Sequence, residues 1–130
     1  MYTGKHAHLR PLQPAFIMAG TGETMTYREL EARCNRLAHL FRNRGLNRLD
    51  HYAIFMENNS RYLEACGAGE RSGLYFTCVN SYLTPGELAY IVNNSCSRIL
   101  ITSFGQARGR ARGAQAMPQG RALHRRRWRG

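Results

Sequence analysis

Between residues 27 and 41 the apolar side chains Tyr27, Leu30, Cys34, Leu37, Ala38 and Phe41 recur every three or four positions, while Arg28, Glu31, Arg36, Arg42 and Asn43 fall on the opposite face. That spacing predicts a helix with one buried stripe and a solvated, arginine-rich outer face. Thr26 and Glu29 stand three apart as a capping box would place them, and Gly45 suits a left-handed helix end. The period then changes. Residues 52–56, 74–79 and 98–102 are apolar on nearly consecutive positions, the pattern of strands covered on both faces. Between them, Ser60 is placed to cap a helix running to about Arg71. Gly67 and Gly69 weaken that helix by about 1 kcal/mol each relative to alanine, and would permit close helix-to-sheet packing. A second capping box, Thr84, Pro85 and Glu87, opens a helix whose Leu88, Ile91 and Val92 share a face and which ends at Asn93-Asn94-Ser95. The order β-α-β-α-β predicts an α/β fold: a partial parallel sheet with flanking helices joined by right-handed crossovers.

Ahead of this unit, residues 14–18 and 25–26 flank a turn and predict a hairpin. Gly20-Thr21-Gly22 has the spacing of a phosphate loop, but it lacks the lysine and the helix that such a loop needs, so it reads as the turn itself. Residues 1–12 neither repeat nor alternate and read as a flexible arm. His6 and His8 within it have no third ligand nearby and are expected to be solvated rather than metal-binding. Three segments result: an arm over 1–12, a folded part over 13–104, and a tail over 105–130.

The charge separates the tail from the rest. Of the formal +11, residues 1–104 carry eleven Lys/Arg against all eight acids, a net of +3, whereas residues 105–130 carry eight Arg and no acid. A nearly balanced body argues against a general nucleic-acid-binding protein, so nucleic acid is disfavoured as a partner. The tail has too few apolar residues for a core and reads as a disordered, Arg/Gly-rich segment. A shift of reading frame near residue 104 is the preferred account of it, because Arg, Gly, Ala and Pro are what GC-rich codons yield in any frame, and the chain has eighteen Arg to one Lys. A natural disordered tail and a nucleic-acid arm, faintly suggested by Arg108-Gly109-Arg110, rank behind it.

Cys34, Cys66, Cys78 and Cys96 lie far apart with no C-x-x-C, so a structural zinc site is disfavoured and core packing of reduced thiols is expected. Reduced thiols, no apolar run near the roughly 18 residues of a membrane span and no signal core together suggest a cytoplasmic location and no transmembrane segment. His39 and His51 offer no convincing partner for a cysteine nucleophile. No catalytic, cofactor-binding or metal-binding residue is named.

The segment Asn80-Ser81-Tyr82-Leu83-Thr84-Pro85-Gly86-Glu87-Leu88-Ala89-Tyr90-Ile91 with Ser95 resembles the N-x-R-L-T-P-x-E-L-x-Y-I-x-x-D-S segment of AMP-forming acyl-CoA synthetases, in the adenylate-forming superfamily. Tyr82 stands for the usual Arg and Asn94 for the usual Asp, and the strand that follows ends near the family's I-T-S at Ile101-Thr102-Ser103. Thr26-Tyr27-Arg28-Glu29-Leu30 resembles the family's T-Y-x-E-L helix start. Asn58 through Glu64 resembles its N-x-x-x-F/Y-L/x-E segment. The resemblance runs from about Gln13 to Ser103.

The resemblance implies the N-terminal part of a large domain whose intact enzyme activates a fatty acid or other carboxylate with ATP and Mg²⁺ to an acyl-adenylate, then transfers the acyl group to coenzyme A. The phosphate loop with its Lys, the Mg²⁺-holding Glu, the ribose-binding Asp and the catalytic Lys of that family all lie downstream of the matched segment. Lys5 and Asp50, the chain's single lysine and single aspartate, cannot replace them. The chain is therefore expected to be a truncated fatty-acid ligase that binds no cofactor and is inactive alone, and to self-associate through apolar surface that a complete domain would cover. The alternatives are nucleic-acid binding through the tail and a non-catalytic partner of a full-length synthetase.

Overall fold

The computed structural model describes residues 3–109. In chain order the elements are α1 (Thr3–Leu9), β1 (Pro14–Ile17), β2 (Thr24–Thr26), α2 (Tyr27–Asn43), β3 (His51–Phe55), α3 (Tyr62–Ser72), β4 (Tyr75–Val79), α4 (Pro85–Asn94), β5 (Ser97–Thr102) and α5 (Phe104–Gly109). Both capping boxes form. Thr26 accepts from the backbone N–H of Glu29 while the Glu29 carboxylate accepts from that of Thr26 at 2.9 Å. Thr84 and Glu87 repeat the exchange at 2.8 Å, with Pro85 in the first turn where no donor is needed.

Two compact units emerge. The first gathers residues up to Asp50 with Glu57–Phe76; the second gathers His51–Met56 with the residues from Thr77 onward. In the first, β1 and β2 pair antiparallel as the expected hairpin, with Gly22 at φ +70 in the turn. Met25, Leu30 and Cys34 are buried together there, with Ala15 and Phe16 packed against them. In the second, β3 and β5 run parallel from His51↔Ser97 to Phe55↔Thr102. Ala53, Phe55, Val79, Leu88, Val92 and Leu100 form its core. The three-stranded parallel sheet has the order β4-β3-β5. The expected mixed α/β architecture is thus observed. Among the described residues no helix is long and apolar enough to cross a membrane.

Several expectations need correction. Of the loose arm expected over residues 1–12, residues 3–9 are instead helical, Thr3 is buried, and His6 stacks on Tyr27 with ring centroids 5.0 Å apart, while His8 is exposed. Ser60 does not cap α3. The helix begins at Tyr62 with Arg61 at its N-cap and no side-chain cap, and Asn59 Oδ1 accepts from Arg61 N–H at 2.8 Å in the turn just before it. Of the strands expected to be covered on both faces, the central β3 is, but the edge strand β4 leaves Tyr75 and Cys78 exposed. The cysteines therefore divide. Cys34 is buried and Cys66 half-buried, whereas Cys78 and Cys96 are exposed, the latter at φ +52 in the turn before β5. Residues 105–109 of the expected tail belong to the short helix α5; residues 110–130, for which disorder was expected, lie outside the described residues.

Candidate functional site

The densest polar constellation lies in the first unit, where α1, α2 and α3 meet around Arg71. Its guanidinium clasps the Glu31 carboxylate with two bonds, Nη2 to Oε2 at 2.6 Å and Nη1 to Oε1 at 2.7 Å. The Thr3 hydroxyl donates to Glu31 Oε2 at 2.8 Å and accepts from Arg71 Nη2 at 3.1 Å. Asn35 Oδ1 accepts from Arg71 Nη1, and Arg71 Nε donates to the carbonyl of Gly67 at 3.3 Å. Both charged side chains are largely withdrawn from water. The Arg71 bonds hold the Glu31 carboxyl below its ordinary range, against the opposing effect of burial.

Cys34 sits beside this cluster, and burial pushes its thiol up to about 11, the nearby Arg71 charge only partly offsetting it. A side-chain carbon placed on Gly67 would come 2.6 Å from Cys34 Sγ, so α2 and α3 approach as closely as they do because position 67 has none. The glycine serves helix-to-helix contact here, not the helix-to-sheet contact expected. An ionised, fully bonded carboxylate and a protonated, enclosed thiol supply neither a base nor a nucleophile at neutral pH. The constellation is a lock between helices. Glu31 was expected on a solvated face; its partner lies 40 residues away, and no local pattern announces such a pair.

The other residues weighed for chemistry stay apart. Lys5 is exposed on α1 and His39 on α2, while His51 is half-buried at the start of β3. The Asp50 carboxylate accepts from Asn47 N–H at 2.7 Å across a turn. Gly22 N–H bonds Met18 carbonyl within the hairpin, so the Gly20–Gly22 stretch is a turn with its donor spent. Among the described residues no group of three or more His, Cys, Asp or Glu is placed to hold a metal ion.

What the geometry does show is a fold shared with known enzymes. The family model for AMP-binding enzymes matches residues 4–127, nearly the whole chain. The chain belongs to this family. The match continues past Ser103, where the motif resemblance ended, into the arginine-rich segment. This AMP-binding family member is 33% identical over 98 residues to the fatty acid–acyl-carrier-protein ligase ScoC of Streptomyces coeruleorubidus, covering 75% of this chain and 18% of that protein. It is 39% identical over 93 residues to the long-chain-fatty-acid–CoA ligase of Escherichia coli O157:H7, covering 70% of this chain and 16% of that one. Among solved structures, one described as a long-chain-fatty-acid CoA ligase from Rhodopseudomonas palustris superimposes with a TM-score of 0.83 at 25% identity, over 93% of this chain and 30% of that one. The O-succinylbenzoate coenzyme A synthetase of Bacillus subtilis, in complex with ATP and magnesium ion, shares the fold with a TM-score of 0.81 at 22% identity, over 94% of this chain and 32% of that one. The chain spans less than a fifth of the length of these curated relatives. None of these proteins lends support to nucleic-acid binding. The chain matches one segment of these ligases.

Proposed function

We propose that the chain forms the N-terminal part of the large domain of a cytoplasmic fatty-acid ligase, whose complete form joins a fatty acid to coenzyme A by way of an acyl-adenylate formed from ATP. The observation that supports this most directly is the family match over residues 4–127 together with 33–39% identity to fatty-acid ligases. The segment's contribution is architectural. Its residues do not fit ATP or Mg²⁺: Lys5 stands exposed on the seven-residue α1, and Asp50 is engaged across its own turn. Alone, the chain is inactive, and it self-associates through the margins of its sheet, where Tyr75 is 56% exposed on β4.

The test is a graft. Residues 13–104 replace the aligned segment of the Escherichia coli ligase, and acyl-CoA formation from a long-chain fatty acid is measured beside ATP–pyrophosphate exchange by the chain alone. The graft is expected to form acyl-CoA and the chain alone to show background exchange. A graft that folds and binds ATP but makes no acyl-CoA would defeat the ligase reading, and exchange above background would defeat the inactivity.

A further inference from the structure

The turn between α1 and β1 carries two of the most exposed leucines among the described residues, Leu9 at 62% and Leu12 at 73%. An apolar side chain in that condition is ordinary when single, but this pair is presented by a rigid turn. Arg10 N–H bonds the carbonyl of His6 at 2.7 Å, Gln13 N–H that of Arg10 at 3.1 Å, Tyr27 N–H that of Gln13 at 3.0 Å and Arg28 N–H that of Pro11 at 3.1 Å. The stacking of His6 on Tyr27 and the Thr3–Arg71 bond fix the helix behind it. Cations surround the pair. Lys5 is four residues before Leu9 and so on its face of the helix, Arg10 lies between the leucines, and the Pro11 bond brings Arg28 alongside; all three are exposed. No acid occurs between Met1 and Thr21. Glu29, the nearest acid along α2, is engaged in the Thr26 capping box.

We propose that this turn is a contact site for an anionic phospholipid surface, with Leu9 and Leu12 entering the boundary between headgroups and acyl chains and Lys5, Arg10 and Arg28 facing lipid phosphates. The chemistry matches: apolar side chains that reach into the interface, flanked by cations and free of acids, are favoured at negatively charged bilayers. An acidic protein would satisfy the cations but leave the leucines without apolar cover.

The experiment is flotation of the full-length chain with vesicles of phosphatidylcholine alone or containing phosphatidylglycerol. The arginine-rich segment stays in every variant, so its contribution cancels. Wild type is expected to partition onto the phosphatidylglycerol vesicles, and the Leu9→Ser/Leu12→Ser pair to lower partitioning about tenfold, flattening its dependence on apolar depth. Arg10→Gln with Arg28→Gln is expected to lower it severalfold and to weaken its salt dependence. Because a double variant can lose its fold, a second probe keeps the wild-type shape: Leu12→Trp in a Trp128→Phe background is expected to shift its emission to the blue and to be quenched by brominated lipid. Partitioning that ignores the leucines, or an unshifted, unquenched tryptophan, overturns the proposal.

Discussion

The two units solve the same problem, holding helices in place, by different means. In the second unit α4 is fixed by apolar packing: Leu88 and Val92 sit among Ala53, Phe55, Val79 and Leu100. In the first, α1, α2 and α3 are fixed by a bidentate ion pair with two hydrogen-bonded auxiliaries and by a helix approach so close that a glycine is required. Apolar packing is non-directional and degrades by degrees, whereas a desolvated ion pair depends on every partner being present. The first unit should therefore fail abruptly at a few positions, and the second more evenly across its core.

The largest effect is expected at the centre of the apolar core. Phe55→Ala should cost about 3–5 kcal/mol in urea unfolding, since Phe55 is fully buried and the cavity cannot refill. A loss below about 1 kcal/mol would mean that the second unit is loosely packed and would erase the contrast. Next comes Arg71→Met, which strands the Glu31 carboxylate; with the pair partly reached by solvent, about 2–3 kcal/mol is expected. Arg71→Met combined with Glu31→Gln should recover much of that loss, and a double variant as unstable as the single one would show that the pair is not a unit.

The same pair sets an acid limit. Because Glu31 has its carboxyl pKa lowered in the folded state from an ordinary 4.5, its contribution is fully present above pH 4.5 and is lost as pH falls through the folded value. Melting temperatures of the wild type should thus drop below pH 4.5 more steeply than those of the Arg71→Met/Glu31→Gln variant, and parallel curves would sink the assignment. Smaller again is Gly67→Ala, expected to cost about 1–3 kcal/mol by collision with Cys34 and to be relieved by Cys34→Ala; absence of relief would place the strain elsewhere. Smallest is Thr84→Ala, about 1 kcal/mol from the lost cap, read as a lowered urea midpoint.

What could be read from the sequence follows the same divide. The capping boxes, the helical stripe from Tyr27 to Phe41 and the strand at residues 52–56 depend on neighbours within a few positions, and all are found where expected. The lock was invisible, since Thr3, Glu31 and Arg71 are separated by 28 to 68 residues and none belongs to a motif. The arm was misread for that reason: alone, residues 3–9 are too short to hold a helix, and it is the contact with α2 and Arg71 that orders them. The exposed Cys78 was misread because a run of apolar residues does not reveal whether its strand lies at the middle or the margin of a sheet. The candidate site fared differently. Its catalytic groups were assigned by resemblance to positions downstream of the matched segment, so no residue of this chain was named for them.

The bond from Arg71 to Thr3 also sets an order in time. Thr84 and Glu87 can find each other as soon as both have been made, three residues apart. Arg71 is made 40 residues after Glu31 and 68 after Thr3, and closing loops of those lengths must precede any benefit from the contact. On a chain emerging from its N-terminus, α1 and α2 are therefore built first and locked late. Throughout that interval α1 and the turn that carries Leu9 and Leu12 can rest on α2 through Thr3 and His6, but they lack the Arg71 anchor.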